Sequence, residues 1–393
     1  MSQDAIVIVG MARTPMGGLL GDLSTVPASD LGAVAIKGAL ESAGMDGEAV
    51  NETIMGCVLP AGQGQAPARQ ASRKAGIPDA TGAVTINKMC GSGMQAMMQA
   101  HDSIKAGSNS IVVAGGMESM SLAPHMLPTG RTGVKYGNAQ MIDHMALDGL
   151  TDAYAGEPMG VFAELCAAEY QFTREAQDAY AIRSLERAQR AIEDGSFEGE
   201  VVPVTVKSRR GDVEVNTDEQ PPKARLDKIP GLRPAFKKDG TVTAANASSI
   251  SDGAAALVMM TAAEAEKRGL TPLAKLVAHA SHAQAPEWFT TAPVKAMEKV
   301  MDKAGWSVAD VDLFEVNEAF AVVAMAAIQE LGLDPEKVNV NGGACALGHP
   351  IGASGARICV TLINALKKRG LKKGVASLCI GGGEATAVAI ELA

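Results

Sequence analysis

Aromatic residues are scarce in this 393-residue chain: two Trp, four Tyr and seven Phe make up 3% of it. Its interior must therefore be built from small, branched and flexible side chains, and 43 glycines and 20 methionines suit closely packed α/β layers. The six cysteines, Cys57, Cys90, Cys166, Cys345, Cys359 and Cys379, include no CxxC pair and no Cys/His group at zinc spacing. This argues against a disulfide framework and a metal centre, and for a reducing, cytoplasmic compartment. There is no excess of positive charge. A net charge of −9 argues against a nucleic-acid partner, although a local basic patch could still hold an anionic small molecule. No apolar run approaches the length of a membrane span. The first such run, Ala5 to Val9, is strand-sized and follows Met1-Ser2-Gln3-Asp4, which carries no basic residue, so a signal peptide is not expected. The turn Gly10-Met11-Ala12-Arg13-Thr14-Pro15 lacks GxGxxG spacing, which rejects a Rossmann site. Gly352-Ala353-Ser354-Gly355-Ala356-Arg357 lacks the G-K-[ST] ending of a P-loop.

The most informative stretch present is Asn87-Lys88-Met89-Cys90-Gly91-Ser92-Gly93. Ala83 to Ile86 ahead of it reads as a buried strand. Met94, Met97, Met98, His101 and Ile104 behind it fall at helical spacing. Cys90 then sits in a strand-to-helix turn, where free N–H groups and the helix dipole are expected to lower its pKa. A nucleophile and a buried structural cysteine both fit that heptapeptide. Similar strand-to-turn-to-helix patterns recur along the chain. Strands are expected at Ala5–Gly10, 53–59, 110–116, 254–260, 274–278, 313–316, 338–340 and 375–380, and helices from Ser29, Ala66, Arg174, Ala262, Pro293 and beyond Gly355. Between about Ser121 and Ile250 prolines, charges and most aromatics collect. Residues 206 to 240 hold nine basic and six acidic side chains, Lys223, Arg225 and Arg210 among the bases. A solvated loop explains them, and so does a patch for a phosphate-bearing ligand. A strand ending in Gly-Gly-x-Glu follows the Cys90 helix at Gly115-Gly116-Met117-Glu118 and recurs at Gly382-Gly383-Glu384. This suggests duplicated halves whose strand ends meet at one site.

Taken singly, Cys90, Asn317, His349 and Cys379 have ordinary explanations: Asn317 as a helix N-cap, Cys379 as core, His349 as a turn residue. Together, Asn87-x-x-Cys90-Gly91-Ser92-Gly93, Asn317-Glu318-Ala319-Phe320, Gly348-His349-Pro350-Ile351-Gly352 and Cys379-Ile380-Gly381-Gly382-Gly383 resemble the four blocks of the thiolase family, in order and over nearly the whole chain. Gly137 to Asp143 and Leu232 to Phe236 resemble its biosynthetic type, the acetyl-CoA C-acetyltransferases.

That resemblance implies an α/β thiolase fold: two duplicated halves in five layers (αβαβα), residues 1–120 with 250–270 and residues 271–393. An inserted loop domain, 121–249, would cover the site and bind CoA. It implies condensation of two acetyl-CoA to acetoacetyl-CoA and CoA, with CoA as substrate and product and no tightly bound cofactor. Cys90 would carry the acetyl group after His349 accepts its proton. Cys379 would deprotonate the second acetyl-CoA. His349 and a water held by Asn317 would stabilise the enolate or thioester oxygen, and the N–H groups of Cys90 and Gly381 would form a second oxyanion hole. Ser248 would contact pantetheine, Lys223 and Arg225 the nucleotide, and Met159, Phe236, Phe289, Ala319 and Phe320 the remaining substrate and CoA surface. Two departures stand out: Pro158 where many relatives have histidine, and Phe289 where some have a methionine lining the acyl pocket, so acyl-chain range is open. The family implies a homodimer or homotetramer. Competing readings are a broader-chain thiolase, a ketoacyl-synthase-like enzyme, a Cys/His hydrolase and a non-catalytic lipid carrier. Cys379 opposite Cys90 argues against the second and third, and the retention of all four residues against the last.

Overall fold

The computed structural model describes residues 4–209 and 211–393; Met1 to Gln3 and Arg210 of the basic segment lie outside the described residues. The first half contributes β1 (Ile6–Arg13), α1 (Ala28–Ala43), β2 (Glu52–Gly56), α2 (Pro67–Lys74), β3 (Gly82–Ile86), α3 (Ser92–Lys105) and β4 (Ile111–Ser119). An insertion carrying α4 (Met159–Glu169) and α5 (Arg174–Glu193) follows, and then β5 (Ser251–Thr261) and α6 (Ala262–Lys267) complete this half. The second half runs β6 (Ala274–Ala283), α7 (Ala292–Ala304), β7 (Leu313–Val316), α8 (Ala321–Leu331), α9 (Ser354–Arg369), β8 (Lys373–Ile380) and β9 (Glu384–Leu392).

Strand order makes the duplication visible. The nine strands are linked as β7-β8-β9-β6-β1-β5-β4-β2-β3, joined at the middle by two residue pairs, Val7 with Lys275 and Ile8 with Ala274. Read outward from that junction, each half has two antiparallel pairings and then a parallel one. The strands are nearly all apolar because both faces are covered. Along β5, Ala255, Leu257 and Met259 point into the central cluster, whereas Ala254, Ala256, Val258 and Met260 point to the outer one. Met94, Met97 and Met98 of α3 and Ile358, Leu362 and Leu366 of α9 fill the central layer. Leu31, Ile36 and Ala39 of α1 cover one outer face, and Met297 and Val300 of α7 with Val322 and Val323 of α8 cover the other. Helix, sheet, helix, sheet and helix are therefore stacked in five layers.

The two central helices begin alike, as Ser92-Gly93 and Ser354-Gly355. A Cβ on Gly355 would fall inside contact of the Met94 backbone nitrogen, and one on Gly116 inside contact of the Gly352 carbonyl oxygen. Only glycine lets these backbones meet, and their meeting brings the turn before α3 against the turn before α9.

Three expectations change. β3 is a partly exposed edge strand, with Val84 39% accessible, because among the described residues no strand pairs beyond it. Residues 338–340 form only a single bridge, Phe314 with Val338, where the second half's fifth strand would lie. β9, absent from the sequence reading, is a full strand that follows the glycines 381–383. The insertion packs Phe162, Ala163, Cys166 and Tyr180 into the second half's outer cluster. It is tied to the first half by Arg13, whose buried guanidinium meets Glu200 at 2.6 Å and Asp218 at 2.7 Å.

Candidate active site

Cys90 is presented by a strained turn. Met89 before it has φ +46°, a left-handed conformation costly for a non-glycine residue. Three side-chain bonds hold it: Met89 N–H donates to Asn87 Oδ1 (2.9 Å), Lys88 N–H to Ser92 Oγ (2.8 Å), and Ser92 Oγ–H to the Met89 carbonyl (2.6 Å). The turn leans on the end of β8, since a Cβ on Gly91 would collide with Ile380. The Gly381 N–H and the Cys90 N–H lie near enough to the Cys90 sulfur to favour its thiolate.

Those N–H groups do not lower the Cys90 pKa overall. Burial of the sulfur dominates and pushes the thiol up to about 11, correcting the expected depression. Cys379, on β8 opposite Ala385, is 1% exposed. Burial raises it well above the ordinary thiol range, and charge on the nearby Cys90 raises it further. Burial, with the Arg357 charge adding to it, lowers His349 to about 3, which keeps its ring neutral at pH 7.

The neutral ring has a fixed orientation. Ser354 Oγ–H donates to the Pro350 carbonyl (3.0 Å), so Ser354 Oγ is left to accept from His349 Nδ1–H at 2.5 Å. The lone pair is thereby placed on Nε2, 3.4 Å from Asn317 Nδ2. Asn317 is not a helix N-cap: α8 starts four residues later with Phe320 as its cap. Its N–H donates to the Ser377 carbonyl on β8 (3.0 Å), and its buried Oδ1 has no hydrogen-bond partner among the described residues.

Most of the other residues singled out cluster on the same side. Met159 packs toward Gly381. The Phe320 ring is met edge-on by Phe236 at 6.0 Å and Phe289 at 6.3 Å between centroids. Ser248 N–H donates to the Ala319 carbonyl (2.9 Å). Lys223 and Arg225 are placed differently. The Lys223 ammonium pairs with Glu219 at 2.8 Å and Asp22 at 3.2 Å, while Arg225 pairs with Asp227 at 3.1 Å. Arg225 also lines, with Lys228, Leu232, Ala244, Ala245 and Cys345, a cavity of about 270 Å³.

Residues 6–263 match the family model "Thiolase, N-terminal domain" and residues 270–392 match "Thiolase, C-terminal domain". The chain belongs to the thiolase family. It is 53% identical to an acetyl-CoA acetyltransferase of Cupriavidus necator, over 98% of this chain and 99% of that one. It is 52% identical to acetyl-CoA acetyltransferase 2 of Arabidopsis thaliana, over 98% and 97% respectively. The crystal structure of the Bacillus anthracis acetyl-CoA acetyltransferase superposes with a TM-score of 0.97 at 42% identity, covering 99% of both chains.

In this thiolase two further contacts hold the turns that carry Cys90 and His349. Lys88, two residues before Cys90, forms an ion pair with Glu384 at the start of β9. Glu118, fully buried, accepts from the N–H groups of Val58 (2.9 Å), Leu59 (3.1 Å) and Gly352 (2.8 Å), and so fastens the His349 turn to the loop after β2. Both glutamates end the repeated Gly-Gly-x-Glu, the one sequence signal that marked them.

Burial pushes the Glu118 carboxyl up to about 7 against the pull of those N–H groups. A carboxyl whose native pKa lies above its ordinary value of 4.5 stabilises the fold below pH 4.5, and that contribution is lost as pH rises through 7. Urea unfolding of wild type and Glu118→Gln across pH 4 to 8 isolates it. The stability difference, wild type minus variant, is expected to fall by roughly 3 kcal/mol over that range. A difference that stays flat would contradict the assignment.

Proposed function

We propose that this thiolase catalyses the reversible Claisen condensation of two acetyl-CoA to acetoacetyl-CoA and CoA through an acetyl-Cys90 intermediate. The observation that supports this reading is the packing of the Cys90 turn on the end of β8, Gly91 against Ile380, which brings Cys90 near enough to Cys379 for the charge of one to act on the other. Two thiols fit an acyl carrier and a separate base for carbon acidity; a hydrolase or a lipid carrier needs no second one.

In the first half-reaction Cys90 Sγ bonds to the thioester carbon as its proton passes to His349 Nε2. Burial disfavours a standing thiolate–imidazolium pair. The proton therefore moves as charge shifts onto the thioester oxygen, where the N–H groups of Cys90 and Gly381 receive it. The C–S bond to CoA breaks, and CoA leaves with the proton. In the second half-reaction Cys379, acting from the minor thiolate form that its raised pKa leaves, takes a methyl proton from a new acetyl-CoA and later passes it to the thiolate expelled from Cys90. His349 and the Asn317 carboxamide, with a water bound to it, hold the enolate oxygen, and the carbanion attacks acetyl-Cys90 and expels the thiolate, which is reprotonated. CoA is substrate and product, and no step calls for a resident cofactor.

Ser248, Met159 and Ala319 would line the pantetheine path, and the basic side chains near the Arg225 cavity would face the nucleotide. The unpaired cysteines fit a reducing cytoplasm. Among the described residues, no helix is long and apolar enough to cross a membrane. Exposed Leu127, Tyr136, Met141 and Tyr154 in the insertion, and the open edge at β3, fit a dimer or tetramer.

Phe236 and Phe289 pack edge-on against Phe320, and an acyl end directed at this cluster would favour acetyl over longer chains. A rate series for CoA-dependent cleavage of 3-ketoacyl-CoAs tests this. kcat/KM is expected to fall at least tenfold from the four-carbon to the eight-carbon substrate. A flat series would support the broader-chain alternative.

A further inference from the structure

His101 and Asp102, near the C-terminal end of α3 and so at the opposite end of that helix from the Cys90 turn, meet His279 of β6 on the surface. His101 Nδ1 lies 2.9 Å from Asp102 Oδ1, and His279 Nε2 lies 2.8 Å from the same oxygen. The two rings stand edge to face with centroids 4.9 Å apart. All three donor atoms lie within 4.8 Å of one another. The imidazoles are largely buried, 15% and 18% exposed, whereas the carboxylate is 64% exposed, so the cluster opens to solvent on the carboxylate side.

We propose that His101, Asp102 and His279 bind a divalent first-row transition-metal cation, which would pin α3 of the first half to β6 of the second. Two imidazoles and one carboxylate form the donor set that suits zinc, cobalt, nickel or copper; calcium and magnesium prefer oxygen alone. Bond lengths of about 2.0–2.1 Å around a tetrahedral centre place donors roughly 3.3 Å apart. Each nitrogen–oxygen pair would then open by about half an ångström and the ring nitrogens would draw together, within reach of side-chain torsion. A single carboxylate oxygen faced by two ring nitrogens is already close to that arrangement.

Binding requires lone pairs where hydrogen bonds now lie. In neutral rings the proton moves to the other ring nitrogen, so no net proton need be lost. The cations facing the cluster are Lys105, beside His101, and Lys303, whose ammonium donates to the His279 carbonyl at 2.9 Å. Affinity would therefore come from ligation rather than from net charge. With three protein donors and an exposed carboxylate, the remaining positions fall to water and the metal exchanges. The sequence does not announce the site because its donors are 177 residues apart.

Cobalt(II) titration of the full-length, metal-stripped protein tests the proposal and separates this site from the catalytic thiols. The expected result is one cobalt per chain with visible d–d absorption and no thiolate-to-cobalt charge-transfer band, together with a higher melting temperature. Loss of an outer partner typically weakens metal binding 10–100-fold, so His279→Gln and Asp102→Asn should each weaken it at least ~10-fold and remove the thermal shift. Both variants should keep the wild-type melting temperature without metal, since Asp102 is exposed and glutamine can retain the hydrogen bond. Cys90→Ser should bind cobalt as wild type does. A charge-transfer band lost in Cys90→Ser, or equal affinity in wild type and both cluster variants, would overturn the proposal.

Discussion

Cys90→Ala is expected to lower thiolytic turnover by about 10⁴–10⁶-fold, the scale on which removing a covalent nucleophile acts. Burial and the neighbouring N–H groups still orient a substrate in the variant, but no atom remains to take the acyl group. The fold should survive, because the half-buried Cys90 side chain contributes one sulfur to the packing and the turn is held by Asn87 and Ser92 instead. Intact-mass spectrometry after brief mixing with acetyl-CoA gives the direct readout. Wild type gains one acetyl group that maps to the Cys90 peptide, and the alanine variant gains none. Unimpaired acetoacetyl-CoA cleavage by a folded Cys90→Ala protein would remove the basis of the mechanism.

Cys379→Ala should divide the reaction. Acetylation of Cys90 should persist, because the Gly381 N–H that reaches the Cys90 sulfur belongs to the backbone and survives the substitution. Condensation should fall by at least 10²–10⁴-fold, the range over which general bases act. Removing one buried sulfur leaves a small void that costs on the order of 1 kcal/mol, too little to unfold the protein. Rapid-quench measurement of both half-reactions decides it. An acetyl-enzyme that accumulates and does not turn over is the expected outcome; failure to acetylate would reverse the assignment of the two thiols.

Much of the architecture was legible because both sheets are covered on both faces. That makes runs such as Ile6 to Val9 and Ala254 to Met260 continuous and apolar, and strands of this kind show plainly in sequence. β3 was misread as buried because its composition resembles a core strand, while its position at the sheet edge is a tertiary property. β9 was overlooked because three glycines before it read as an ending rather than a turn between paired strands. Within the candidate site, Cys90, Asn317, His349 and Cys379 stood out in the sequence because each lies in or beside an unusual turn. The expected lowering of the Cys90 pKa failed for a different reason: helix position can be read locally, whereas desolvation by Cys379, Ile380 and their neighbours depends on the whole packing. Glu118 carried the faint signal of a repeated motif, but its three backbone donors come from segments 60 residues before it and 234 after. No local pattern encodes such a clasp.

The matching entries into the two central helices have a chemical corollary. The two entrances carry different side chains, Cys90 before α3 and His349 before α9. The halves are therefore alike in backbone but not interchangeable in chemistry, and neither could stand in for the other.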